Sequence, residues 1–138
     1  MNESSKVRNE ITQCAIAHSR QIEIILHRAS YSIQDVIASY IASLCDVDVA
    51  DMLSVCDKYS ISHARWLLWY TLQKIDGDTY ERIAEKTSID HCKFSARAIG
   101  HGITMMTHMI ETIPIWKYRW GIVNRLIKSF KESIDQEI

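Results

Sequence analysis

A single proline, Pro114, stands in a chain of 138 residues that holds only four glycines. So few helix breakers leave little room for the tight turns that a sheet protein needs, and the apolar spacing runs the same way. Val7, Ile11, Cys14, His18, Ile22 and Ile25 recur at three- and four-residue steps, one face of a long first helix. "SIQDVIASYIASLC" follows with Ser32 as its N-cap and Val36, Tyr40, Ile41 and Leu44 inward. "DVDVADMLSVC" reads as a short helix capped by Asp48. Ser60 is the expected cap of "ISHARWLLWYTLQKI", which turns Ile61, Ala64, Leu68, Leu72 and Ile75 to one side. "DGD" at Asp76 to Asp78 marks a turn, and "TYERIAEK" is about two helical turns beginning near Thr79 or Asp78. Asp90 is placed to cap the next helix.

The C-terminal part keeps a regular seam. Met106, Met109, Ile113, Trp116, Trp120, Val123, Ile127, Phe130 and Ile134 alternate steps of three and four. Proline fits a first helical turn, so the helix breaks near Ile113 and a last one starts at Pro114. The pattern serves equally to pack on the chain's own core or to form a homodimer through Trp116, Trp120, Val123, Ile127 and Phe130. The expected fold class is all-α, a helical bundle containing a helix-turn-helix and flanked by long N- and C-terminal helices. The divisions are an N-terminal helix over 1–30, a core over 31–112 and an amphipathic C-terminal helix over 113–138, in one compact domain.

No apolar run approaches the roughly 20 residues of a membrane span, and "MNESSKVRNE" lacks a secretory apolar stretch. A cytoplasmic protein with reduced cysteines is expected, with no membrane partner. Cys14 and His18 stand four apart, as two metal ligands would, but on an apolar face and with no paired cysteines to complete a zinc site. His91 and Cys92 are adjacent, so on a helix they point in different directions and do not form a nucleophile and base. No phosphate-binding or hydrolase motif occurs, and the reading is of a non-enzyme with no metal, cofactor or small-molecule substrate.

The formal net charge of −1 excludes binding to nucleic acid by bulk charge, yet the charges are unevenly spread. No acid lies between Lys58 and Ile75, nor between His91 and Ile110. If Asp90 caps a helix, Lys93, Arg97, His101, Thr104 and His108 form one cationic stripe beside an apolar face of Phe94, Ala98, Met105 and Met109. Such a helix after a shorter one suits a recognition helix, with His91, Cys92, Lys93 and Ser95 nearest the base edges. It equally suits a solvated face with a capping Asp. Gly100 and Gly102 weaken this helix, by about 1 kcal/mol each, and leave open close approach of another helix, close approach of a DNA backbone, or a bend.

From about Val36 to Met106 the order of features resembles the C-terminal DNA-binding domain of the bacterial replication initiator DnaA. "VIASYIASLCDVDVADMLS" is similar to that domain's first helix, turn and short second helix. "SISHARWLLWYTLQKIDGDTYERIAEK" is similar to the stretch that follows, with Arg65 at its Arg position and Ile83-Ala84 at its Ile-Gly position. "DHCKF" stands at its Asp-His-Thr-Thr-Val signature, with Cys92 and Lys93 in place of the threonines. Stand-alone DnaA-like proteins without the ATPase are the nearest match. The resemblance implies a helix-turn-helix that binds double-stranded DNA, with the signature helix in the major groove and a basic loop in the minor groove. Here that loop is "SVCDKYS", in which Lys58 is the single base. The implied DNA-binding set is His91, Cys92, Lys93, Ser95, Arg97, Lys58, Ser60 and Thr79. The alternative is a non-catalytic interaction or oligomerisation module that keeps the fold without binding DNA.

Overall fold

The structure, a computed structural model, describes residues 33–56, 58–88 and 93–137, with the side chains of 33, 34, 130 and 133–137 excepted. The predicted first helix, the Ser32 cap, Asp57, and the Asp90, His91 and Cys92 trio lie outside the described residues. Those described form six helices and no strand: α1 (Ile33–Leu44), α2 (Val49–Met52), α3 (Tyr59–Asp76), α4 (Tyr80–Thr87), α5 (Ala96–Thr112) and α6 (Pro114–Glu137). None is long and apolar enough to cross a membrane.

Helix α3 is the hub and contacts each of the other five, most extensively α5. Its apolar spacing explains this: Ala64, Leu67, Leu68 and Leu72 are buried to about the last ångström of surface. Val36, Tyr40, Ile41 and Leu44 of α1 are buried as their spacing predicts. Burial of such side chains, at roughly 1.5–3 kcal/mol each, holds the bundle together.

Helix ends are set by local chemistry. Gly77 adopts φ +66°, the left-handed geometry that ends α3 at the "DGD" turn, and its N–H donates to the Gln73 carbonyl. Thr79 caps α4 by accepting from the Arg82 N–H at 3.2 Å. Ile113 is extended and closes α5, so that α6 begins at Pro114, where the missing N–H costs nothing. Two predicted caps change role. The α3 helix begins at Tyr59 rather than after Ser60, because the Ile61 and Ser62 N–H groups both turn back to the Lys58 carbonyl. Asp48 stands at the head of α2 but caps it with no side-chain hydrogen bond.

Two side-by-side helices close the molecule. Trp116 of α6 meets His63 of α3, Trp120 meets Tyr70, and Lys131 bonds Asp76, so α6 runs in the same direction as α3. At the far end Lys86 bonds Asp78 at 2.6 Å and Lys131 bonds Asp76 at 2.6 Å, while Lys86 and Asp76 stand 3.8 Å apart. This half-buried network ties α3, α4 and α6 together.

Candidate nucleic-acid interface

The helix that carries Arg97 does not begin at Asp90. It begins at Ala96, with Ser95 extended (φ −82°, ψ 155°) and its hydroxyl accepting from the Ala98 N–H at 3.1 Å. Lys93 therefore precedes the helix. Phe94 is the physical reason. Its N–H donates to the Ser88 hydroxyl at 3.0 Å, its ring meets the Trp69 indole edge-on at 5.1 Å, and the Arg65 guanidinium lies 5.2 Å from it. Holding Phe94 there keeps residues 93–95 out of helical geometry and hands the cap to Ser95.

From that start α5 presents the Arg97 to His108 part of the predicted stripe to solvent, with Lys93 and Ser95 ahead of it. Lys93, Ser95, Arg97, His101, Thr104 and His108 are all exposed. No acid occupies the first turn of α5, so its partial positive charge is uncompensated and adds to the two cations. Beneath the stripe the helix comes very close to its neighbours. A Cβ at Gly102 would stand 2.5 Å from Trp66 Cδ1 and 2.7 Å from Trp69 Cε3, and one at Gly100 would stand 3.0 Å from the Tyr80 ring. Both glycines serve helix packing, the first of the readings their sequence left open.

Tyr80 on Gly100 brings the start of α4, and with it Thr79, alongside α5. Thr79 is exposed but shares its turn with the exposed Glu81. Lys58 and Ser60 lie elsewhere. They line a surface hollow with Ile61 and the carboxylates Asp46, Asp48 and Asp51. The set implied by the resemblance thus divides into a cationic α5 group, a mixed α4 start and an acid-rimmed pair.

Arg65, at the family's Arg position, is buried rather than presented to a ligand. Its Nε donates to the Met52 carbonyl at 2.7 Å, and Nη2 donates to the carbonyls of Ser54 and, at 3.1 Å, Cys56. It clasps the loop after α2. This role is invisible in sequence, where Arg65 is one more cation in an acid-free segment.

An aromatic ladder escaped the sequence reading. Tyr59, His63 and Trp66 of α3 share one stripe, with ring centroids 5.9 and 5.1 Å apart, and Trp66 meets His101 of α5 edge-on at 5.8 Å. The signal was there in the spacing of 59, 63 and 66 along a helix. Burial among these rings lowers the His63 pKa below its ordinary value. Farther along, the Arg119 guanidinium lies 4.7 Å from the Trp116 ring, with its Nε buried and without a hydrogen-bond partner among the described residues. Arg119 also opposes the effect of burial on the Cys45 thiol, which is nevertheless pushed up to about 11.

The side chains put forward for a dimer seam pack within the chain: Trp116, Val123 and Ile127 are buried and Trp120 is half-buried against Tyr70. The Phe130 side chain lies outside the described residues. Among the described residues no cluster of three or more His, Cys, Asp or Glu could hold a metal ion. No family model, curated protein or solved structure matches the chain.

Proposed function

We propose that the chain binds duplex DNA through the exposed face of α5, with α4 and α5 as the two helices of a DnaA-like helix-turn-helix. The observation that carries this reading is the exposed stripe of Arg97, His101, Thr104 and His108 along a helix whose first turn carries no acid, with exposed Lys93 just ahead of it. Lys93 and Arg97 meet phosphates or guanine acceptors, and Ser95, whose hydroxyl already caps the helix, lies at the same tip. Thr79 flanks the contact. Lys58 and Ser60 contribute little, since the acids around them repel a phosphate backbone.

The test is a salt titration of binding to mixed-sequence duplex DNA, followed by fluorescence anisotropy. Wild type should bind at low salt with log affinity falling linearly in log salt. Lys93→Ala/Arg97→Ala should make that slope shallower by about two, since each phosphate contact contributes ~0.9. Absence of binding at low salt, or an unchanged slope in the double variant, overturns the reading.

A second reading, a non-catalytic interaction module, draws on a different surface. The hollow of Asp46, Asp48 and Asp51 suits a basic protein segment and not DNA. It becomes the better account if wild type fails to bind duplex at low salt.

A further inference from the structure

The ladder of Tyr59, His63, Trp66 and His101 joins the head of α3 to the middle of α5, and its two ends differ from its centre. His63 and Trp66 are half-buried, whereas Tyr59 is 81% exposed and His101 is exposed. An exposed tyrosine ring of that degree, adjoining other rings, is not explained by the core. The two stretches that carry the rings, residues 58–75 and 93–110, contain no Asp or Glu. Arg97 lies one helical turn before His101 on the same stripe of α5, and Lys58 immediately precedes Tyr59. The carboxylates of the neighbouring hollow share its lining with Lys58, Ser60 and Ile61; Ser60 and Ile61 are on a different side of α3 from the stripe of 59, 63 and 66, and Lys58 belongs to the hollow.

Flat rings with Arg97 beside them on the acid-free stripe of α5 match the chemistry of unpaired nucleobases on a phosphate backbone. Bases stack on aromatic faces whatever their sequence, while the cations follow the phosphates. The ladder rings already touch one another, so bases would lie on the free faces of Tyr59 and His101 and not between rings. A protein partner would instead bring hydrogen-bonding side chains to this face, for which the rings offer little beyond the Tyr59 hydroxyl and the imidazole nitrogens.

We propose that this ladder is a stacking platform for single-stranded nucleic acid, with Tyr59 and His101 as the base contacts and Arg97 as the phosphate contact. The proposal rests on the nucleic-acid reading of α5 and extends it to a second strand state. The probe is a labelled oligothymidine, which cannot pair with itself, titrated at low salt against wild type, Tyr59→Ala, Tyr59→Phe and His101→Ala, with the mixed duplex run in parallel. Wild type should bind oligothymidine. Tyr59→Ala should weaken it about tenfold or more, Tyr59→Phe should retain it because the π-face survives, and His101→Ala should weaken it similarly. Tyr59 is too exposed for its loss to unfold the chain, and unchanged helical circular dichroism verifies this. Duplex binding should be unaffected by Tyr59→Ala. Wild type that binds duplex but not oligothymidine overturns this inference alone, as does oligothymidine binding that Tyr59→Ala leaves intact. Wild type that binds neither overturns both. Oligothymidine binding lost in Tyr59→Ala without any duplex binding supports the platform and overturns the duplex reading, and capture of a protein in place of the oligonucleotide overturns the platform.

Discussion

Two surfaces of this protein face opposite electrostatic demands within a chain whose net charge is −1. One is the stripe of α5, cationic and without acid; the other is the hollow by the head of α3, where Lys58 is outnumbered by Asp46, Asp48 and Asp51. The first is anchored from below by glycine packing on two indoles, whereas the Arg65 clasp holds the loop that leads from α2 towards the second. The contrast shows that near-neutral totals hide segregated charge, and that neighbours in a motif need not be neighbours in function. It also predicts that each surface can be damaged without the other.

The largest effect is expected at Arg65. Arg65→Ala removes every one of the clasp's donors from buried carbonyls and should cost about 3 kcal/mol in urea unfolding. Hydrogen exchange should then accelerate most in residues 52–56 and less at the head of α5, where Phe94 loses Arg65 but keeps its Trp69 contact; equal loss in both would break the contrast. Gly102→Ala comes next, since its Cβ would collide with both indoles, at about 2 kcal/mol. Here the α5 surface should loosen and duplex affinity fall, with residues 52–56 unchanged. A smaller change follows from Asp48→Asn/Asp51→Asn, which removes repulsion beside Lys58 and should raise duplex affinity about twofold at low salt and not at all in high salt. The smallest is a pH effect. Burial lowers the His63 pKa, so its contribution to stability is full above its unfolded value of 6.5 and declines as pH falls below that. His63→Gln should remove that part of the acid sensitivity, measured as thermal midpoint against pH.

Much of the fold was readable because apolar periodicity and terminal chemistry agreed. The inward set of α1, the Gly77 turn, the Thr79 cap and the Ile113–Pro114 break each follow from local rules that tertiary contacts then reinforce. The head of α5 was not readable. Asp90 and Ser95 are both good caps, and the choice rests on Phe94 packing against Trp69 and Arg65, residues more than twenty positions away. The candidate site was read in part for the same reason. The exposed face from Arg97 to His108 follows from helical spacing, whereas the burial of Arg65 and the separation of Lys58 from Arg97 depend on how α2 and α3 meet. The contact of Trp66 with His101 exists only because α5 packs on α3.

The parallel course of α6 along α3 has a consequence for the order of assembly. Asp76 and Lys131 are 55 residues apart in sequence, whereas the contacts joining α4 to α5 or α2 to α3 close much shorter loops. Closing the longer loop costs more chain entropy and brings no return until α5 has turned the chain back. Helices α2 to α5 should therefore consolidate early and α6 dock last. Refolding followed by the burial of Trp116 and Trp120 should accordingly lag behind the recovery of helical signal, and Lys131→Met should speed unfolding far more than it slows folding.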